Sequence, residues 1–188
     1  MLTETLNNLI IERRGNRSLK HYRYNTEYYR RRVMLRGKRI LDIGCGSGLL
    51  LATNSVIESP ALAVGIDNYK GEGSPLDELN FIRLRLRQAL DLPNLCFAVT
   101  DARHMAFRPE SFDVIFASQF LHHIHIDTKS IEDNDSAITL PVYKVLKDMH
   151  TMLARDGVLV VTEAPRYTAI RLMQKFGLLR DIDFTTKQ

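Results

Sequence analysis

The chain has 188 residues, a length typical of one globular domain with a sizeable core. Hydrophobic residues make up 45% and charged residues 26%, as in an ordinary soluble protein, which argues against a disordered or fibrous chain. No stretch approaches the roughly 18 consecutive apolar residues that cross a membrane, and the amino terminus lacks a signal-peptide pattern. The two cysteines, Cys45 and Cys96, have no metal-ligand spacing. We therefore expect a reduced cytoplasmic protein with no membrane span and no metal site.

The net charge of +4 is unevenly distributed along the chain. Residues 1–39 contain eleven Lys or Arg and three Glu, a balance of +8, whereas the rest of the chain carries −4. This segment is either a patch for an anionic partner such as nucleic acid or the solvated face of a helix. Because the chain has no GXXG loop, RNP-like aromatic set or zinc knuckle, nucleic acid is the less favoured partner.

Two helices are predicted ahead of the first strand. The first spans residues 3–14 and ends at Gly15, and the second spans about residues 26–36 and ends at Gly37. No part of this segment has the alternation of a strand. The pattern therefore predicts a helical amino-terminal segment over residues 1–38.

The segment RILDIGCGSGLL, residues 39–50, predicts a short strand, a tight turn and the start of a helix. The turn glycines are Gly44, Gly46 and Gly48. Glycine tolerates positive φ and lets a ligand approach the backbone closely, so the turn is a candidate binding site. A P-loop is disfavoured because no Lys follows Gly48, and Leu49 occupies the position where the dinucleotide fingerprint needs Gly or Ala. The acid Asp42 before the turn would repel a pyrophosphate and suits a cationic ligand.

Two further predicted strands also end next to an acid. The second strand, residues 61–66, is followed by Asp67, which lies 25 residues after Asp42. This spacing is close to the interval of about 20 residues at which a nucleotide-binding fold places a ribose-binding carboxylate. The third strand, residues 95–99, is followed by Thr100 and Asp101. Three strands that each end in an acid predict a ligand site at one edge of a sheet.

The remaining pattern alternates strands and helices. Two more strands are predicted at residues 112–117 and 158–162, and a sixth at residues 181–186. The helices predicted after the first strand span residues 47–58, 76–90, 140–155 and 166–176. The acidic residues 127–139 are predicted to form a loop, either a substrate lid or a tolerated insertion. The expected fold class is α/β: a Rossmann-like doubly wound, mostly parallel sheet in three αβα layers, with an abbreviated carboxy-terminal end.

At this point the sequence resembles a known family. The DxGxGxG turn resembles motif I of the class I S-adenosylmethionine-dependent methyltransferases, and FDVIFASQFLHH is similar to the fourth strand of small-molecule members of the domain 11 or 25 type. The resemblance covers about residues 39–163. It implies that residues 39–188 form the methyltransferase domain and that residues 1–38 form a helical cap or lid over its cofactor pocket. A seventh family strand is not found, so either this form is minimal, or the partner strand comes from another chain, or the protein has been cut. A missing strand would leave an exposed sheet edge, which makes a homodimer plausible.

The resemblance also implies roles for individual residues. The implied S-adenosyl-L-methionine-binding residues are Asp42, Gly44, Cys45, Gly46, Gly48, Asp67, Asn68, Asp101, Ala102, Ser118 and Gln119. Asp67 would bind the ribose hydroxyls, Asp101 the adenine amino group, and the Ala102 amide a ring nitrogen. His122 and His123 are either catalytic bases or structural side chains, because a neutral imidazole can take a proton from a hydroxyl.

The expected activity is methyl transfer from S-adenosylmethionine to a small-molecule acceptor. The LHH arrangement at residues 121–123 favours an oxygen or carbon acceptor by analogy with the resembled family. The NPPY tetrapeptide of some amino-methylating enzymes is absent, since the residues after the fourth strand read SQFL, which argues against methylation of DNA bases. The alternative is a catalytically silent binding or interaction subunit that uses the basic amino terminus. A nicotinamide oxidoreductase ranks third because of Leu49.

Overall fold

The computed structural model describes residues 2–70, 76–124 and 135–162, without the side chains at positions 2, 122 and 135–141. Its strands are β1 (Arg39–Ile43), β2 (Leu62–Asp67), β3 (Leu95–Val99), β4 (Phe112–Ser118) and β5 (Leu153–Thr162). They form one sheet in the order β3-β2-β1-β4-β5, and all four neighbouring pairs are parallel. The predicted Rossmann-like fold class is confirmed.

The α-helices of the described residues precede β1 or lie between strands. They are α1 (Leu2–Arg14), α2 (Asn16–Arg30), α3 (Leu49–Glu58), α4 (Leu76–Phe81), α5 (Arg87–Ala89) and α6 (Asp135–Met152). A π-helical stretch, Ile82–Leu86, joins α4 to α5, and short 3₁₀ turns span Ala102–His104 and Leu121–His123. None of the helices in the described ranges is long and apolar enough to cross a bilayer. The helix predicted at residues 166–176 and the strand predicted at residues 181–186 lie outside the described residues.

The strands distribute their apolar side chains to two faces, because successive residues of a strand point in opposite directions. Ile40 and Phe116 pack with the apolar residues of α1, α2, α3 and the π-helical stretch. Leu41, Ile43 and Ile115 pack on the other face with α6. Each fully buried side chain of this size contributes roughly 1.5–3 kcal/mol. Helices therefore cover both faces of the sheet, which gives the predicted three layers.

The second predicted helix has the wrong bounds. The sequence pattern suggests residues 26–36, but α2 runs from Asn16 to Arg30. Tyr22, Thr26 and Tyr29 lie three or four residues apart on one side of α2, and the last two are buried. This burial stabilises a helix whose aromatic and β-branched residues have only modest intrinsic propensity.

The junction between α6 and β5 is also displaced from its prediction. The helix begins at Asp135 and ends at Met152, and β5 follows at Leu153, so Gly157 lies inside the strand and does not end the helix. Phe112 of β4 pairs with Leu153, but Val114 pairs with Val158, which leaves extra residues in β5. Such a bulge keeps a strand in its sheet across an irregular stretch. Gly157 therefore marks a strand irregularity.

Candidate functional site

A pocket of about 1100 Å³ opens at the carboxyl ends of the strands. Its wall includes the ends of all five strands, the glycine turn and one side of α2. Between β1 and β4 the strand order reverses direction, and ligands of open α/β sheets bind in the crevice at that point. The volume slightly exceeds the range typical of small-molecule sites.

Most of the residues implied by the family resemblance are on this wall. Those that line the pocket are Asp42, Gly44, Cys45, Gly46, Asp67, Asn68, Asp101, Ala102, Ser118, Gln119 and His123. Gly48 is not part of the wall. The side chain of His122 lies outside the described part of the chain. His123 is exposed in the turn after β4, and its role as a base stays a prediction.

The backbone conformation and the close packing at the first glycine of the turn both require glycine. Gly44 has φ +74°, and a Cβ atom there would come within 2.5 Å of the Phe120 ring. The Gly44 and Cys45 amides both donate to the Ile66 carbonyl, at 2.9 and 3.0 Å. These hydrogen bonds therefore hold the turn at the end of β2, beside Asp67.

The last glycine of the turn serves packing instead. Gly48 has φ +69° and immediately precedes α3. A Cβ atom there would lie 2.5 Å from the ring of Phe97 on β3. Gly48 therefore lets α3 approach the sheet closely, and this explains why it is absent from the pocket wall.

Asp67 holds the glycine turn through backbone amides. Its Oδ2 accepts from the Gly46 amide at 3.0 Å, and its Oδ1 accepts from the Tyr69 amide at 2.9 Å. The Tyr69 hydroxyl in turn donates to the Gly46 carbonyl at 3.2 Å. Asp67, which is predicted to bind the ribose hydroxyls, therefore also stabilises the turn.

Sequence reasoning missed Tyr69. Its backbone adopts φ +53°, which is unusual for a bulky residue, and its side chain folds back beneath the turn. Burial raises the pKa of Tyr69, and burial followed by the charge of Asp42 raises the pKa of Cys45 well above its usual range. Both groups stay protonated at neutral pH, so Cys45 is not a thiolate nucleophile. No spacing or motif in the sequence signals this contact.

Asp42 is the most unusual group of the pocket. Its carboxyl is 4% exposed, and burial together with the negative charge of Asp67 raises the pKa of Asp42 to about 7. No side chain or amide within the described ranges donates a hydrogen bond to it. A buried carboxylate in this condition is stabilised by a cationic ligand. The donor set therefore fits a ligand that brings positive charge to the end of β1.

Asp101 is paired with a cation of its own. Arg103 donates to the carboxylate from its amide, Nε and Nη2, with a shortest distance of 2.6 Å. These hydrogen bonds lower the pKa of Asp101 to about 2. An adenine amino group would therefore have to share this carboxylate with the guanidinium or displace it. The predicted contact between Asp101 and adenine stays a prediction.

Hydroxyl groups gather on the opposite side of the pocket. The phenol oxygen of Tyr29, on α2, lies 3.4 Å from Ser118 Oγ and 3.2 Å from Thr162 Oγ1. Next to them Gln119 adopts φ +53°, and its amide donates to the Thr162 carbonyl at 2.6 Å. Tyr29 was not a predicted site residue, because the predicted helix around it gave it no position relative to the strand ends. Throughout the described residues, no group of three His, Cys, Asp or Glu side chains could hold a metal ion.

Solved structures of other proteins share this fold. The chain superimposes on the YcgJ protein of Bacillus subtilis with a TM-score of 0.57 and 20% identity, covering 85% of this chain and 59% of that one. An S-adenosylmethionine-dependent methyltransferase from Mesorhizobium loti gives a TM-score of 0.53 and 22% identity, covering 80% of this chain and 55% of that one. At these identities the likeness shows the fold.

Sequence comparison defines the family. The methyltransferase domain family matches residues 19–184, so the chain belongs to that family. A similar protein is the ubiquinone biosynthesis O-methyltransferase of Neisseria meningitidis serogroup C, 34% identical over 94 residues, which are 48% of this chain and 35% of that protein. The chain spans between 33% and 38% of the length of the curated relatives it matches. The predicted membership of the methyltransferase family is confirmed.

Proposed function

We propose that the chain binds S-adenosylmethionine and transfers its methyl group to an oxygen atom of a small molecule. The single observation that carries the proposal is the buried Asp42 carboxyl beside the glycine turn, with Asp67 next to it. S-adenosylmethionine has a sulfonium, an ammonium and a ribose diol, which suit a carboxylate pair. The pyrophosphate of a nicotinamide cofactor would be repelled at the same place.

The residues present fit this cofactor, and each has a part. The amide-rich turn at Gly44 and Gly46 gives the ligand close access to the backbone. Asp42 would favour the positive end of the ligand, and Asp67, which also lines the pocket, would accept from a sugar diol. When bound, the cofactor supplies a methyl group on a sulfur that is already an activated leaving group.

The protein then has mainly to position the acceptor and exclude water. An in-line displacement gains most from holding the reacting atoms at the right distance and angle. The side of α2 that carries Tyr22, Asn25 and Tyr29 closes the pocket over the strand ends. This supports the proposal that residues 1–38 act as a cap on the methyltransferase domain. A hydroxyl acceptor also has to lose its proton, and His123 is the candidate base on the described wall.

The curated relatives bear on the nature of the acceptor. The curated relatives are named as O-methyltransferases of ubiquinone biosynthesis, which supports an oxygen acceptor ahead of carbon or nitrogen. A catalytically silent interaction subunit is the alternative. It is favoured by the charge balance of +8 over residues 1–39, which suits an anionic partner.

The test is a transfer assay with S-adenosylmethionine labelled on the methyl group and a panel of phenols and catechols. We expect labelled ether products and an equal amount of S-adenosylhomocysteine. The His123→Ala variant should lower turnover about 10²- to 10⁴-fold, with cofactor affinity unchanged. His150→Ala is the matched control, because His150 is exposed near the end of α6 and is not on the pocket wall. Cofactor binding without transfer to any acceptor would support the silent subunit instead.

A further inference from the structure

We propose that the hydroxyl groups of Tyr29, Ser118 and Thr162 form a subsite that binds the acceptor oxygen as an oxyanion, such as a phenolate. We name these three groups the hydroxyl cluster. The inference rests on the proposed function, since it assigns the acceptor side of the same pocket.

The cluster joins three separate elements at one place on the pocket wall. Ser118 is the last residue of β4, Thr162 is the last residue of β5, and the two are paired in register. Tyr29 reaches them from α2 and is 4% exposed, with its ring centroid 5.0 Å from that of Phe116. All three hydroxyl-bearing residues line the pocket. The packing of the ring fixes the position of the phenol oxygen.

Counting protons shows that the cluster has a donor to spare. Three hydroxyls carry three protons, and the two oxygen–oxygen contacts at 3.4 and 3.2 Å use two of them. No other acceptor for these hydroxyls occurs among the described residues. The third proton is therefore available to a ligand oxygen in the pocket, and an oxyanion gains more from such a donor than a neutral atom does.

The cluster is also on the correct side of the site. The pocket-lining carboxylates of the described residues, Asp42, Asp67 and Asp101, lie at or within two residues of the carboxyl ends of β1, β2 and β3. The hydroxyl cluster lies beyond the point where the strand order reverses, at the ends of β4 and β5. If the carboxylates bind the ribose and the cationic end of the cofactor, the transferable methyl faces the β4 and β5 side. The cluster then meets the acceptor.

The reaction balances without any further reagent. The acceptor hydroxyl releases its proton to solvent, directly or through His123, and the resulting oxyanion is held by the hydroxyl cluster. The oxyanion attacks the methyl carbon, the new O–C bond forms, and the S–C bond breaks. The electron pair of that bond stays on sulfur, which changes from a sulfonium to a neutral thioether. The product is a methyl ether.

The test uses 4-nitrophenol, whose ionisation is visible by absorbance, bound to the protein saturated with S-adenosylhomocysteine so that no transfer occurs. We expect the bound probe to ionise at a pH about one unit below that of the free probe, because one hydrogen bond to a charged oxygen changes an equilibrium about tenfold or more. The triple variant Tyr29→Phe/Ser118→Ala/Thr162→Val, which removes every hydroxyl proton of the cluster, should move the ionisation back to that of the free probe. Tyr29→Phe keeps the ring against Phe116, so the fold is retained.

Tyr28→Phe is the matched control, because it removes a hydroxyl from the neighbouring residue of the same helix, which does not line the pocket. Its probe should ionise as in the unchanged protein. Equal ionisation in all variants, or a probe that does not bind the unchanged protein, would overturn the inference. Calorimetry with S-adenosylhomocysteine on the same samples separates the two proposals. Normal cofactor binding with an unshifted probe removes only the hydroxyl cluster, whereas a loss of cofactor binding in the unchanged protein removes the proposed function as well.

Discussion

The residue that most clearly connects chemistry to function is Asp42. Folding buries its carboxyl beside Asp67, which opposes ionisation and destabilises the protein near neutral pH. Proteins retain such a group when a ligand benefits from it. The cationic cofactor of the proposed function would relieve this unfavourable burial on binding.

This burial gives stability a definite dependence on pH. The pKa of Asp42 is about 7 in the folded protein and near 3.8 in the unfolded chain, so the folded state holds this proton more tightly. The contribution of Asp42 to the free energy of unfolding is fully present below about pH 4 and is lost as the pH rises through about 7. We expect Asp42→Asn to be more stable than the unchanged protein at pH 8, by up to a few kcal/mol, since each unit of pKa difference is about 1.4 kcal/mol.

The measurement is urea unfolding of both proteins at pH 4.5, 6 and 8. These pH values are about one, two and four units above the pKa of Asp42 in the unfolded chain. The stability difference should grow with pH and level off above about 7. Asp91→Asn, at an exposed position off the pocket wall, is the control and should show no such trend. A difference that is the same at all pH values would contradict the account of Asp42.

Residues differ in how far their roles can be read from sequence. The position of Asp42 and Asp67 on one pocket wall could be predicted because a parallel sheet brings the ends of its strands to one edge. Tyr69 and Tyr29 could not, because their contacts with Gly46 and Ser118 depend on a positive φ in one case and on helix docking in the other. Neither property leaves a local pattern.

At the scale of elements, the glycine turn combines two different requirements. Gly48 and Gly37 have the same φ of +69°, but a Cβ atom at Gly48 would lie 2.5 Å from the Phe97 ring, whereas nothing lies within 4 Å at Gly37. A comparison of alanine substitutions at Gly37 and Gly48 therefore separates the effect of backbone strain from that of crowding between α3 and β3.

We expect Gly37→Ala to lower the free energy of unfolding by about 1–2 kcal/mol through strain alone. Gly48→Ala should lower it by a further 1–3 kcal/mol or so, because the added methyl forces α3 away from the sheet. Urea unfolding of the two variants gives the comparison. Equal losses would show that the close approach of α3 to β3 is not under packing constraint.

The helix α1 is attached to the rest of the fold through a buried acid. Glu78, whose side chain is 3% exposed, accepts from Arg13 Nε at 3.0 Å and from Arg14 Nη2 at 2.7 Å. Either guanidinium alone still leaves the carboxylate with a partner. Removing both leaves a buried charge without either of these ion pairs, which is strongly destabilising.

We therefore expect Arg13→Ala and Arg14→Ala to cost about 1 kcal/mol each. The double variant should cost about 3–5 kcal/mol, which is more than the sum. Chemical unfolding of all three proteins measures the coupling. Arg83→Ala, at an exposed position in the π-helical stretch, is the control and should be nearly neutral. Strict additivity would mean that Glu78 does not depend on this pair.

Elements were predictable where their signals are local. The strands, α1 and the start of α3 follow from apolar runs and from glycines at their ends. The bounds of α2 and the bulge in β5 were not predictable, because the first depends on burial of Tyr29 and the second on pairing with β4. The π-helical stretch at Ile82–Leu86 was also missed, since its apolar spacing reads as an ordinary helix.

For the molecule as a whole, the sheet order divides the pocket into two halves. Carboxylates lie at the ends of β1, β2 and β3, and hydroxyls lie at the ends of β4 and β5 under α2. The first half suits the cofactor and the second suits the acceptor. Membership of the methyltransferase family agrees with this division, and the proposed activity depends on the first half being a true cofactor site.

The most direct test of that claim is titration calorimetry with S-adenosylmethionine, S-adenosylhomocysteine and NAD, on the unchanged protein and on Asp67→Ala and Asp91→Ala. We predict micromolar binding of the first two ligands and no binding of NAD. Asp67→Ala should weaken cofactor binding by about 1.5–3 kcal/mol, and the exposed Asp91→Ala should not change it. Binding of NAD, or an affinity for S-adenosylmethionine that does not depend on Asp67, would contradict the account.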